Sequence, residues 1–178
     1  RARADRLVAE GAVFCATPAE LAKRCDFVIS VVSDSPVVET VYLGEQGVIH
    51  GVRRGALCID MSTVSPETER RVAAALRERG AAYLDAPVSG GKTGAEQGTL
   101  AIMAGGEAAD LDRARPVLEI LGKRIVHCGP LGSGQLTKLC NQIIVALNLL
   151  AVSEAVVFAR KVGLDPQVML DAVSGGAA

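Results

Sequence analysis

Hydrophobic positions along the chain fall into two textures. Short apolar runs at residues 12–15, 27–32, 56–61, 82–85, 100–104 and 124–128 alternate with longer segments whose apolar residues recur at helical spacing. That alternation predicts βαβ units and a largely parallel sheet. The central runs are apolar throughout, as strands are when helices cover both of their faces. The helices announce their own starts. Thr17-Pro18-Ala19-Glu20 offers an N-cap oxygen, a proline at the first position and an acid in the first turn. Ser35-Pro36 repeats the device before residues 37–43, and Ser65-Pro66-Glu67 repeats it before residues 68–79. The latter segment closes at Gly80, and residues 107–121 close at Gly122, both in left-handed-cap style.

After Gly134 the texture changes. Residues 135–162 read as one long helix with small and apolar side chains on almost every side, and such a helix must be covered by other helices. Only residues 166–173 offer another, so either a second chain covers it or the rest of an all-helical domain does. The Gly- and Pro-rich stretch at 130–134 places a domain boundary, with residues 1–131 in one domain and 132–178 in the next. The chain starts without Met in helical composition and stops directly after a helical pattern. Both ends therefore read as cut, and a fragment is expected.

Composition narrows the classes. Lys and Arg total 19 against 20 Asp and Glu, which removes the electrostatic footprint of a nucleic-acid binder. Hydrophobic residues at 49% exclude disorder, while 3% aromatics leave the core to Ala, Val, Leu and Ile. Glycine at 19 residues exceeds average usage and belongs to turns and close backbone approaches. The five cysteines, Cys15, Cys25, Cys58, Cys128 and Cys140, form no C-x-x-C, and neither His50 nor His127 stands at zinc-ligand spacing from a pair of them. Buried free thiols in a reducing compartment are the expectation, with no metal. The longest apolar stretch, residues 143–152, is interrupted by Asn148 and is too short for a bilayer. A soluble cytoplasmic protein without membrane contact is expected.

Two motifs compete for the chemistry. Residues 86–93, Ala-Pro-Val-Ser-Gly-Gly-Lys-Thr, fit a relaxed phosphate-loop pattern. That loop needs a helix starting at Lys92-Thr93, but Gly94 and Gly98 follow and a strand begins at Leu100, leaving no room for it. Pro87 also removes an amide from the cradle. The match reads as coincidence. The second candidate pairs two segments. In Asp85-Ala86-Pro87-Val88-Ser89-Gly90-Gly91 a strand ends in a turn with two glycines, suited to offering amides and a hydroxyl to a carboxylate. At the start of the long helix, Gly134, Lys138, Asn141 and Val145 stand at i, i+4, i+7 and i+11 and share one face. A lysine held there is partly desolvated, which lowers its pKa toward the range useful for proton transfer. A surface lysine with a snorkelling stem is the other reading of Lys138.

Taken together, these segments resemble the β-hydroxyacid dehydrogenase family. The resemblance rests on residues 85–91, continuing through Gly98-Thr99-Leu100 and Met103-Ala104-Gly105-Gly106, and on residues 134–142. It extends through residues 143–151, Ser153-Glu154-Ala155, Gly163-Leu164-Asp165-Pro166 and residues 174–178, essentially the whole chain. The implied fold is α/β: a Rossmann-like, mostly parallel sheet, incomplete at its N-terminus, followed by the start of an all-helical domain.

The resemblance also implies roles. Lys138 is the catalytic group, giving a proton to a carbonyl oxygen in reduction or stabilising the alkoxide in oxidation. Ser89, Gly90 and Gly91 bind the carboxylate of a small substrate, and Asn141 supports Lys138 or the substrate hydroxyl. Some relatives carry a second Asn where this chain has Gln142. The cofactor is NAD or NADP, contacted at Val32, Ser33 and Thr63; many relatives have Leu-Pro at Val32-Ser33. The opening G-x-G-x-x-G turn of the family is not in this sequence, so weak or no dinucleotide binding by the 178-residue chain is expected. Gly98-Thr99-Leu100 and Asn141-Gln142 lean toward the tartronate semialdehyde type. A non-catalytic module on the same fold and a nucleotide-binding phosphate loop are the alternatives. Homo-oligomerisation through helix 135–162 is expected.

Overall fold

The computed structural model describes residues 4–176. The helical composition expected from Arg1 to Arg3 and the closing Ala177-Ala178 lie outside them. The chain divides into two compact units, Arg1–Lys138 and Leu139–Ala178.

The first unit is built on a six-stranded sheet: β1 (Phe27–Ser30), β2 (Leu57–Asp60), β3 (Ala82–Asp85), β4 (Val88–Ser89), β5 (Leu100–Gly105) and β6 (Gly122–Gly129). β1, β2 and β3 pair in parallel, as do β5 and β6, and the two groups meet along an antiparallel seam between β5 and β3–β4. Its helices are α1 (Asp5–Ala9), α2 (Pro18–Ala22), α3 (Ser35–Leu43), α4 (Pro66–Glu78), α5 (Gly91–Glu96), α6 (Ala108–Leu121) and the first turns of α7 (Ser133–Lys161).

Alternation explains why the strands read as unbroken apolar runs. Val28, Cys58 and Tyr83 point to one face and pack with Val38, Tyr42, Val72 and Leu76 from α3 and α4. Leu57, Ile59, Leu84 and Ile102 point to the other and pack with Leu111, Ala114 and Leu118 of α6. Both faces of the central strands β2 and β3 are covered, so neither set is polar there.

Several expectations are corrected. Residues 12–15 form no strand and Val13 is 67% exposed. An apolar run becomes a strand only beside a partner ladder, and the described sheet ends at β1. A strand at Val88–Ser89 was not expected. It continues β3 in one antiparallel register along β5, with Asp85 opposite Gly105 and Ser89 opposite Ala101. Pro87 has no N–H to give and interrupts it, though its carbonyl still accepts from Met103 N (3.0 Å). Contrary to the expectation that no helix fits before Leu100, the six-residue helix α5 forms there, because Gly90 (φ 137°) and Gly91 (φ 61°) turn the chain sharply enough to start it.

Two helix ends also differ. Asp34, not Ser35, caps α3, its carboxylate accepting from Val37 N (3.0 Å), while Ser35 Oγ accepts from Ser65 N (3.1 Å). Gly122 is extended rather than left-handed; it is glycine because a Cβ would run into the Leu100 carbonyl. The five thiols are free, but only Cys58 is buried, with burial pushing it up to about 12, and Cys140 is exposed.

The second unit holds the rest of α7 and α8 (Pro166–Val173). Within it an apolar groove of about 420 Å³ runs between the helices, lined by Asn148, Val152, Met169, Leu170 and Val173. Ile143, Ile144, Leu147, Leu149 and Leu150 are exposed. Taken as one 29-residue helix, α7 is long and apolar enough, by length and composition alone, to cross a membrane. This corrects the expectation drawn from residues 143–152 in isolation.

Candidate functional site

The site is organised by Asp85, the last residue of β3, which is fully buried. Its carboxylate accepts from Gly132 N (2.7 Å) and Gln135 N (2.8 Å), amides that α7 cannot satisfy at its own start. Burial pushes the Asp85 carboxyl up, and the amides of Gly132, Gln135 and Gly134 pull it back. The approach is close. A Cβ on Gly134 would collide with the Met103 carbonyl and stand 2.8 Å from Asp85 Oδ2. Glycine at 134 is therefore a packing requirement of this cap.

Lys138 follows in the next turn of α7. It is 8% exposed, and desolvation holds its amine below the usual lysine range. The strand whose line carries Ser89 and the helix that carries Lys138 thus leave from one carboxylate, with Ser89 four residues past Asp85.

A second buried polar system ties the ends of β1 and β2 to the same helix start. Val32 N donates to Ser62 Oγ (2.8 Å), and Ser62 Oγ donates to Asp60 Oδ1 (2.7 Å). Ser30 Oγ also donates to Asp60 Oδ1 (2.6 Å) and bonds the Tyr42 hydroxyl (2.8 Å). Asp60 Oδ2 is buried with no hydrogen-bond partner among the described residues. From α7, Gln135 Oε1 accepts from Val64 N (3.1 Å), and its Nε2 donates to the Ser62 carbonyl (2.9 Å) and to Glu69 Oε1 (2.6 Å). The Tyr83 hydroxyl bonds Glu69 Oε2 (2.6 Å). Glu69 is fully buried, and burial, aided by the negative charge of Asp60, pushes it up to about 9 against the hydrogen bonds of Tyr83 and Gln135. It is protonated at neutral pH.

The residues expected at the site are distributed as follows. Val32 is half-buried at the end of β1, and Ser33 and Thr63 are exposed beyond the ends of β1 and β2. Ser89 is half-buried, Gly90 and Gly91 are exposed, and Lys138 is buried. Asn141 is half-buried and belongs to the second unit. The structure joins the β1 and β2 ends through Val32 and Ser62, and joins the β3 end to the lysine helix. Asp85 as a cap, Gln135 and Glu69 were missed. Glu69 had a signal, since it sits with Val72, Ala73 and Leu76 on the buried stripe of α4, where an acid needs partners.

The parallel strand ends at Ser30 and Asp60 form the edge where open α/β sheets take ligands. There Val31 is 69% exposed and Thr63 is exposed as well. Thr63 also has its flanking peptide groups already bonded to Gln135.

Two family models match the chain. One, described as the NAD binding domain of 6-phosphogluconate dehydrogenase, covers residues 1–129; the other, NAD-binding of NADP-dependent 3-hydroxyisobutyrate dehydrogenase, covers residues 132–178. The 2-hydroxy-3-oxopropionate reductase of Escherichia coli is 46% identical over 173 residues, which is 97% of this chain and 59% of the reductase. A mitochondrial 3-hydroxyisobutyrate dehydrogenase of Drosophila melanogaster is 41% identical over 170 residues, 96% of this chain and 52% of the relative. A solved 3-hydroxyisobutyrate dehydrogenase of Mycobacterium tuberculosis with L-serine superposes at TM-score 0.88 and 39% identity, over 99% of this chain and 60% of that one. The chain therefore spans between half and two thirds of the length of these relatives.

Proposed function

This chain belongs to the β-hydroxyacid dehydrogenase family, and from that premise we propose that it carries the nicotinamide side and the proton-transfer group of an NAD(P)-dependent oxidoreductase. The substrate is a small 3-hydroxy acid or its semialdehyde, of the tartronate semialdehyde or 3-hydroxyisobutyrate type. The observation that carries this reading is the shared anchor at Asp85, which sends Ser89 and Lys138 out from one point of the fold.

When bound, the nicotinamide supplies or accepts the hydride. The protein does the rest. The Ser89 hydroxyl and the backbone at Gly90 and Gly91 grip the substrate carboxylate; both glycines have positive φ, which a side chain would oppose. Lys138 gives its proton to the carbonyl oxygen in reduction and takes it back in oxidation. Its desolvated amine parts with a proton more readily than an exposed lysine does. Asn141 steadies the lysine or the substrate hydroxyl, and Val32, Ser33 and Thr63 hold the nicotinamide side of the cofactor.

In this reading residues 1–131 serve the dinucleotide and residues 132–178 belong to a helical domain that associates through α7. Free thiols and near-neutral charge suit a reducing cytoplasm. Lys138→Ala, assayed in the complete gene product, is expected to lower turnover by roughly 10²–10⁴-fold. Unchanged turnover would remove Lys138 from the chemistry.

A further inference from the structure

We infer that Gln135 is a positioning residue: it locks the loop after β2 to the first turn of α7, and so holds the cofactor-side Thr63 and the amine of Lys138 in one rigid frame. The inference rests on the catalytic reading of Lys138 given above. Gln135 has no exposed surface and uses three of its four hydrogen-bonding positions. Two of its partners, the Ser62 carbonyl and the Val64 amide, flank Thr63 and leave the Thr63 side chain facing outward.

The chemistry specifies an amide. Oε1 must accept from Val64 N–H, and Nε2 must donate to the Ser62 carbonyl and to Glu69 Oε1. A flipped amide would oppose donor to donor and acceptor to acceptor. A carboxylate at 135 would lack both donors, and an apolar side chain would leave three buried groups unsatisfied. The backbone of the same residue donates to Asp85 Oδ2 at 2.8 Å, so main chain and side chain are both fixed. Lys138 stands three residues on, one helical turn away.

Glu69 completes the frame from below. The groups facing it are Asp60 on β2, Tyr83 and Asp85 on β3, and Gln135, with Tyr42 of α3 beyond. Both charged neighbours are acids, so an ionised Glu69 would be repelled; the neutral carboxyl accepts from Gln135 and meets Tyr83 without that penalty. Burial and the Asp60 charge hold it in that form through neutral pH.

The test compares Gln135→Met, Glu69→Gln, Glu69→Leu and Lys138→Ala in the complete gene product, each checked for folding by circular dichroism. Gln135→Met conserves volume and removes the hydrogen bonds. It is expected to lower kcat about 10- to 100-fold, as a small displacement of a reacting group does, while KM for the hydroxy acid stays within roughly threefold. The alkaline limb of its kcat/KM profile should move up toward the ordinary lysine range as water reaches Lys138. Glu69→Gln, which keeps an acceptor for Gln135, should hold kcat within about twofold, and Glu69→Leu should lose about tenfold. A folded Gln135→Met with the parent kcat and pH profile overturns the inference. Should that variant aggregate, equal kcat in Glu69→Leu and Glu69→Gln overturns it instead. An active Lys138→Ala defeats the proposed function; an inactive one beside a fully active Gln135→Met defeats only the positioning role.

Discussion

At the scale of residues, two buried acids do different work. Asp85 satisfies amides at the start of α7 from a strand 47 residues earlier in the chain than Gly132. Asp85→Asn keeps one acceptor but turns an NH₂ toward a backbone donor, which should cost about 1–3 kcal/mol in urea unfolding. A midpoint equal to the parent's would show that the carboxylate is dispensable. Glu69 acts through its proton. Its ordinary value of 4.5 applies to the unfolded chain and about 9 to the folded one, so the folded state holds the extra proton between them. Its stabilisation is therefore complete below pH 4.5 and is lost as pH rises toward 9, and the raised Asp85 adds in the same direction. Thermal unfolding between pH 5 and 9 should show stability falling, and Glu69→Gln should flatten the slope. The spacing of α4 puts Glu69 on the buried stripe but does not say what meets it there. Only its neighbours on β2, β3 and α7 make it neutral.

At the scale of elements, helix starts were legible and their caps less so. Proline at the second position of α3 marked the start, but the capping oxygen comes from Asp34, because Ser35 is turned to the amide of Ser65. Asp34→Ala should cost about 1 kcal/mol and Ser35→Ala less, measured by chemical unfolding. The reverse order would restore the serine as cap. Strand periodicity found β1, β2, β3, β5 and β6 but not Val88–Ser89, since a two-residue strand beyond a proline has no period of its own and exists only because β5 lies beside it. The same dependence on a neighbour explains why residues 12–15, equally apolar, stay irregular.

At the scale of the whole molecule, the two units differ in how much of their apolar surface they cover themselves. The first has apolar clusters on both faces of its sheet, whereas α8 has no buried residue and α7 beyond Lys138 exposes most of its large side chains. An uncovered face of this kind drives association or docking. Ile144→Glu with Leu147→Glu, one turn apart on α7, should abolish concentration-dependent association in sedimentation velocity without loosening the sheet unit. Association unaffected by both charges would place the interface elsewhere.

The amino-acid order alone determined the α/β alternation and the starts of its proline-marked helices, because periodicity and turn chemistry are properties of short stretches. The tertiary structure decided which buried acid caps the helix, why Glu69 keeps its proton and how Gln135 brackets Thr63. Those outcomes depend on groups up to 73 positions apart, carried by different elements, meeting where water is excluded, and no local pattern encodes that encounter.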